Sequence, residues 1–341
     1  MNRPDRFPPV AGGPITIVTP PIDGGVRDYA TLLADAAGAQ LLAFEGAART
    51  RAAHPGETLF VQVSHYGYQK RGVPLHLLSW IRARKRGGAR VGFCFHELFA
   101  FGPPWRSSFW LSPLQRYITG EMARLADFWI TNQHSSAQWL LRAGGAKPHQ
   151  VLPVFSNLGE APHYVASRAN EVAVCGSASL RAHTYRSAGP GFFDWAAGRG
   201  LQVHDIGPTL ADPELRGELA RRGVREHGRL PSDGVSRILA RAMYGLAAYP
   251  AAHVAKSSIF AAYCAHGLCP LLISEAYPQA DGLVKGTHYR GWPAADGQWQ
   301  DEGSSVGQRA FDWYAAHSVS VHAETMLRLS RQARVLQQVP L

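Results

Sequence analysis

Residues 14–38 read PITIVTPPIDGGVRDYATLLADAAG, and this stretch decides the class of fold. Its β-favouring run predicts a short strand over Pro14–Pro20. A glycine turn, Asp23-Gly24-Gly25, follows. Val26, Tyr29, Ala30, Leu33 and Ala37 then recur at helical spacing and predict a helix over Val26–Gly38. Strand, turn and helix in this order set the pattern for the rest of the chain.

Further strands are expected at Gln40–Phe44, Leu59–Val63, Val91–Phe95, Phe128–Thr131 and Gln150–Val154, with helices at Leu75–Arg86, Leu114–Ala126 and Ser135–Ala143. The polar stretch SNLGEAPHYVASRAN, Ser156 to Asn170, reads as a linker, after which the pattern restarts. Strands are expected at Val172–Cys175, Leu201–Ile206, Gly245–Ala248 and Pro270–Ile273. Helices fit Gly191–Ala197, Ser232–Met243 and Ser257–Ala265, and Gly307 to Gln338 reads as two helices broken near His317–Ser318. Near-continuous apolar strands alternating with helices argue parallel sheets covered on both faces. The expected fold is therefore α/β, with two doubly wound Rossmann-like domains facing a central cleft at the carboxyl ends of their strands.

The 341 residues are 46% apolar and 18% charged, which excludes a disordered chain and a polytopic membrane protein. Thirty-five bases against 25 acids give a net charge of +10. Most of it lies between Thr58 and Gly120, where nine bases (Lys70, Arg71, Arg82, Arg84, Lys85, Arg86, Arg90, Arg106 and Arg116) meet one acid, Glu97. Such a field suits an anionic partner, although an Arg-rich composition with a solvated basic face explains it too. Leu77, Leu78 and Ile81 can form an apolar stripe beside Arg82, Arg84, Lys85 and Arg86, a pattern that suits an anionic membrane surface. No recognition-helix or RNA-binding motif organises these bases, so nucleic acid is not an expected partner. Cys94, Cys175, Cys264 and Cys269 form no C-x-x-C pair and read as buried thiols, and no metal site is expected. The N-terminus, MNRPDRFPPVAGGP, lacks a hydrophobic signal core, and the most apolar window, Ile259–Ile273, is too short to span a bilayer. The expectation is a cytoplasmic protein, peripheral at the inner membrane face.

Four places could carry chemistry. Gly24-Gly25 lets a ligand approach the backbone at a helix N-terminus, although such glycines also serve sterics alone. The turn matches neither G-x-G-x-x-G nor a P-loop. Lys256-Ser257-Ser258-Ile259 combines a cap, unpaired N–H groups and a cation, a constellation that suits phosphate, though an ordinary Ser-capped helix looks the same. Cys94-Phe95-His96-Glu97 puts two ionisable groups at a strand's carboxyl end. Gly176-Ser177-Ala178-Ser179-Leu180-Arg181 offers a further cation after the second half's first strand, or merely a surface arginine. Beyond Glu97, the aromatics Phe99, Phe101, Trp105, Phe109 and Trp110 interleave with Arg106. Such a loop can stack on sugars, enter a membrane interface, or pack on its own domain.

In order and spacing, GGVRDYATLLADA, FCFHEL, LADFWITNQHSSAQWL, VLPVFSN, VAVCGS, HGRLPSDGVSRILARAMYGLAAYP and KSSIFAAYCAHGLCPLL resemble the family 4 group of GT-B-fold glycosyltransferases, over most of Gly24 to Leu272. The closing RAFDWYAAHSVSVHAETMLRL resembles that family's C-terminal helices. The resemblance implies an acceptor-side domain over 1–158, a nucleotide-sugar donor domain over 159–317 and a C-terminal helix over 318–341 crossing back to the first. It implies a retaining hexosyltransferase, active in polysaccharide biosynthesis, that needs no metal or other cofactor. A cationic side chain and a helix N-terminus stabilise the leaving diphosphate. Lys256, Ser257, Ser258 and Ile259 would hold the donor with Gly24, Gly25, Gly176, Ser177 and Arg181. His96 and Lys256 would be catalytic, and Glu97, Trp105 and Arg106 would face an anionic glycan or lipid-linked acceptor. The family's E-x7-E pair falls at Val254 and Ala262, so both carboxylates are missing, and Arg181 stands where a Gly-Arg and Lys would be expected. A catalytically silent GT-B-fold binding or scaffold protein, or a nucleotide-sugar 2-epimerase, are the competing readings.

Overall fold

In the computed structural model, which describes residues 14–46, 56–100, 105, 107–293 and 303–338, the opening stretch forms strand β1 (Ile15–Thr19) and helix α1 (Gly25–Ala37). Every residue of β1 is buried, as a parallel strand covered on both faces requires. The chain divides into two compact units, one of residues 1–153 with 319–341 and the other of residues 154–318.

The first unit continues through β2 (Gln40–Ala43), β3 (Thr58–Val63), α2 (His65–Tyr68), α3 (Leu75–Arg86), β4 (Arg90–Phe95), α4 (Ser107–Leu125), β5 (Phe128–Thr131), α5 (His134–Gly144) and β6 (His149–Val151). Its six strands pair in parallel in the order β2-β1-β3-β4-β5-β6. Val18, Leu59, Val61, Phe93, Phe95 and Trp129 build its core, and each such fully buried side chain contributes about 1.5–3 kcal/mol.

The second unit comprises β7 (Ala169–Cys175), α6 (Ala178–Ala188), α7 (Pro190–Gly198), β8 (Gln202–Ile206), α8 (Pro213–Arg221), β9 (Arg225–Glu226), α9 (Ser232–Leu239) and β10 (Ala242–Ala248). A 3-10 turn over Ala251–Lys256, α10 (Ser258–Ala265), β11 (Cys269–Ile273), β12 (Arg290–Gly291) and α11 (Ser304–Ala315) complete it. The sheet is again parallel, ordered β12-β11-β10-β7-β8-β9. Helix α12 (Val319–Gln338) returns to the first unit and packs on α1, where Tyr29 Oη bonds His322 Nδ1 at 2.7 Å.

The two strand orders place a topological switch in each sheet, between β1 and β3 in one and between β7 and β10 in the other. Open α/β sheets bind ligands at such points, beyond the strands' carboxyl ends.

Several boundaries differ from expectation. Helix α4 starts at Ser107 and carries Pro113 inside it, so the proline that reads as a boundary is none. The helix expected over Ser232–Met243 ends at Leu239, because Ala242 and Met243 join the strand paired with β7. The strand expected at Gln150–Val154 is the shorter β6.

Candidate functional site

In the second unit, β7 ends at Cys175 and the chain turns through Gly176 at φ 127°, a conformation that disfavours any side chain. A Cβ there would lie 3.0 Å from Leu180 Cδ2 and 3.5 Å from Ile259 Cγ1, so the turn rests against the first turn of α10. Ser177 caps α6, its hydroxyl accepting from the Leu180 N–H. Ser257, 6% exposed, caps α10 in the same way by accepting from the Phe260 N–H. Tyr263 fixes α10 over the switch point. Its ring covers Gly245 of β10, and its hydroxyl donates to Leu246 O at 3.1 Å while accepting the Cys175 N–H at 3.0 Å.

The structure thus brings Gly176, Ser177, Ser257, Ser258 and Ile259 to one rim, where two helix N-termini begin. Among the described residues, no acceptor meets the N–H groups of Ser258 and Ile259. Lys256, half-buried one residue before the α10 cap, makes no ion pair or side-chain hydrogen bond among them either. A lysine beside unfilled helix-start N–H groups is an anion-binding arrangement.

Arg181 corrects an expectation. It is 1% exposed, paired with the buried Asp205 and donating to Gly176 O and Pro208 O, so it holds the turn together from beneath and offers no surface cation. Val254 and Ala262, where the resemblance would place carboxylates, are 1% and 0% exposed and belong to the packed interior. A separate cavity of about 450 Å³ lies beside α6, near the ends of β10 and β11. Its lining includes His183 and Glu275 but no lysine or arginine and none of the residues singled out above.

In the first unit, Gly24 (φ 154°) precedes α1 and Gly25 opens it, and a Cβ on either would meet nothing within 4 Å. Arg27 folds back on this turn through Asp23 at 3.1 Å and Pro21 O at 2.8 Å. His96 follows β4, half-buried. Its Nε2 is 2.9 Å from Gln62 Oε1, and its ring stands edge-on to Tyr29 at 4.7 Å. Tyr29 is held in turn. Because His322 Nε2 must donate to Pro153 O (2.9 Å), its Nδ1 accepts the tyrosine O–H. Burial pushes the His322 pKa down to about 4, so this imidazole is neutral near pH 7. Helix α1 therefore ties the glycine turn to the His96 ring.

Glu97 is exposed, without an ion pair among the described residues, and Trp105 is 84% exposed. Arg106 and Phe101 lie outside the described residues. Phe99 packs edge-on to Trp139 beneath Arg116. The membrane stripe expected on α3 is overturned. Leu77, Leu78 and Ile81 are at most 1% exposed because they face the core, Arg84 is buried toward Glu57, and Lys85 bonds Asp127 at 2.7 Å. All four cysteines are free and buried, and burial pushes the Cys94 and Cys175 thiols up to about 12.

Sequence reasoning missed Gln62, His322 and Tyr263 as supports. Gln62 lies 34 residues from His96, and no local pattern links them. Tyr263 had one signal, the glycine inside strand β10 on which it lies.

No family description and no curated protein matches the sequence. Solved structures do match its fold. Sucrose-phosphate synthase from Thermosynechococcus elongatus superposes with a TM-score of 0.56 at 12% identity, covering 95% of this chain and 99% of that one. A glycosyltransferase from Rickettsia africae matches with 0.56 at 9% identity, covering 96% and 100%. The fold is that of the GT-B glycosyltransferases. A third GT-B structure, the pneumococcal O-GlcNAc transferase GtfA in complex with UDP and GlcNAc, matches with 0.54 at 9% identity over 83% of this chain, which spans 58% of that one. Among the described residues of this GT-B chain, no group of His, Cys, Asp or Glu could hold a metal ion, and no helix is long and apolar enough to cross a membrane.

Proposed function

We propose that this protein is a retaining, metal-independent glycosyltransferase of hexosyltransferase type, moving a sugar from a nucleotide-sugar donor to an anionic glycan or lipid-linked acceptor. One observation carries the reading: the Ser258 and Ile259 N–H groups open α10 beside Gly176 at the β7–β10 switch point, with the half-buried Lys256 one residue before the cap. Negative charge grows on the leaving diphosphate as the glycosidic bond breaks. A preorganised ammonium and helix-start N–H groups stabilise that charge more in the transition state than in the ground state.

Ser177 and Ser257 shape this cradle as caps, and Gly24 and Gly25, whose turn is open, are assigned to donor binding. His96 is assigned to the transferred sugar, with Gln62 and Tyr29 orienting its ring. Glu97 and Trp105 are assigned to the acceptor. UDP in the pneumococcal relative makes a uridine nucleotide the first donor to try.

A second reading, a GT-B-fold protein that binds without catalysing, draws on the apolar Val254 and Ala262. An isolated carboxylate at either buried position would be strongly destabilising, so donor recognition here lacks those groups. Thermal shift across UDP-, GDP-, dTDP- and ADP-sugars, followed by a transfer and hydrolysis assay, separates the readings. A ligand at a hundred times its Kd stabilises by about 2.7 kcal/mol. A shift for one nucleotide together with turnover supports the transferase. A shift without turnover supports the binding protein, and silence across the panel overturns donor binding.

A further inference from the structure

At one edge of the second sheet two imidazoles meet. His204 of β8 is buried, and its Nδ1 lies 2.8 Å from Nε2 of the half-buried His227, which follows β9. The rings are stacked, 15° from parallel. Period-two alternation puts both on one face of the sheet, with Arg225 of β9 and Glu171 of β7. One Glu171 oxygen is held by Arg241 at 2.6 Å, and the other stands 3.9 Å from His204 Nε2. Asp205 and Glu226 alternate to the other face, toward Arg181. The N···N hydrogen bond needs one ring nitrogen to donate and the other to accept. The pair can take up one proton and keep that bond. A second proton leaves two N–H groups face to face, with two imidazoliums and two arginines against one carboxylate. Burial already lowers the pKa of both histidines, outweighing the pull of Glu171.

Little else fastens this edge, because β9 is a two-residue strand paired with β8. Beyond it the His227 N–H donates to Asp205 O at 2.9 Å, and Gly228 O accepts the Gly207 N–H at 3.0 Å. Gly207 in turn lies against the turn at the α10 rim, where a Cβ on it would collide with Gly176 O and stand 2.7 Å from Arg181 Nε. The histidine pair, the Gly228–Gly207 bond and the Gly176 turn therefore form one continuous support. We propose that the His204–His227 pair is an acid-opened clasp. With at most one proton added it holds residues 226–229 and, through Gly207, steadies the Gly176 turn. Doubly protonated, it lets that segment go. The clasp rests on the donor reading only for what the turn would hold, and its opening needs no donor.

The test is amide exchange of the full chain without nucleotide, at about pH 7.5 and about pH 5, with each rate taken relative to the intrinsic rate at that pH. Protection of the Gly207 and His227 amides should fall about tenfold or more, because each proton taken up on opening shifts the equilibrium by up to about tenfold per pH unit. Amides of β7 and β10 should keep their protection. His227→Gln and His204→Gln replace one ring by an amide that donates or accepts without taking a proton, so each should hold the two pH values within about twofold. Melting curves at about pH 7.5 select the variant that folds as the wild type does, and the exchange is read on that one. Protection that ignores pH overturns the proposal, as does a fall that the variant retains. A fall shared by β7 and β10 overturns it in favour of acid unfolding of the whole unit. A nucleotide that raises the wild-type melting temperature should lose affinity between the two pH values, and lose less in the variant. If no nucleotide binds, the donor reading alone is overturned, because the exchange experiment does not use it.

Discussion

The two units have the same architecture and opposite chemistry at the carboxyl ends of their strands. At the β7–β10 switch, the glycine turn is packed against α10, one cation is buried beneath it as Arg181, and another, Lys256, stands at the rim. At the β1–β3 switch, the glycine turn is open and flanked by the Arg27–Asp23 pair, and the groups packed behind it are a tyrosine, a glutamine and two imidazoles, of which His322 is held uncharged by burial. One edge is suited to holding a multiply charged anion, whereas the other is suited to hydroxyl groups. Where a cation sits relative to the surface decides which edge is which, not how many arginines the turn contains.

The largest expected effect tests whether Arg181 and Lys256 truly divide the labour. Arg181→Met strands Asp205 in the interior, and breaking a buried pair costs about 3–5 kcal/mol, seen as a lower urea midpoint. A variant of unchanged stability that loses nucleotide binding would make Arg181 a ligand cation after all. Lys256→Ala should do the reverse. Losing a charge-assisted contact of about 1.5–3 kcal/mol lowers nucleotide-sugar affinity roughly ten- to a hundredfold by calorimetry, with the urea midpoint unmoved.

Acid should tell on both units next, because burial also lowers the pKa of His204, His227, His266 and His288 in the second. His65 and His322, both in the first unit, have pKa values pushed down to about 4 by burial. Between the usual value of 6.5 and 4, the unfolded chain binds protons that the folded one refuses. The stability these histidines contribute is therefore complete above pH 6.5 and falls as pH drops toward 4, by about 2 kcal/mol each at pH 5. Amide protection around α12 and β5, relative to the intrinsic exchange rate at each pH, should fall between pH 7 and 5, and His322→Gln should blunt the change. Equal protection at both pH values would show that neither imidazole is held neutral.

The smallest effect distinguishes the two glycine turns. Gly176→Ala meets both a positive φ and the Leu180 methyl and should cost about 1–3 kcal/mol. Gly25→Ala meets nothing and should leave the melting temperature unchanged or add up to about 1 kcal/mol, while lowering turnover if a donor approaches there.

Much of this was legible along the chain. Buried parallel strands such as LFVQV and VGFCF are apolar without a break, and Ser257 announces its cap. Helix α6 was not foreseen, because ASLRAHTYRSA has little amphipathic contrast and owes its place to buried Arg181, Thr184 and Tyr185. Pro113 disguised the start of α4. What local pattern cannot reveal is a partner far away in sequence. Asp205 turned Arg181 from a candidate ligand cation into a structural one, and burial of the α3 stripe moved the exposed apolar face to α4.

The return of α12 has a consequence for biogenesis. Residues 154–318 form an uninterrupted stretch, so that unit can finish folding as soon as residue 318 clears the ribosome. The first unit, although synthesised earlier, must wait for α12, because the Tyr29 hydroxyl and the Pro153 carbonyl both bond His322. Translation order and folding order are thus inverted. A chain cut after residue 318 would keep every residue of the second unit but leave α1 of the first without α12.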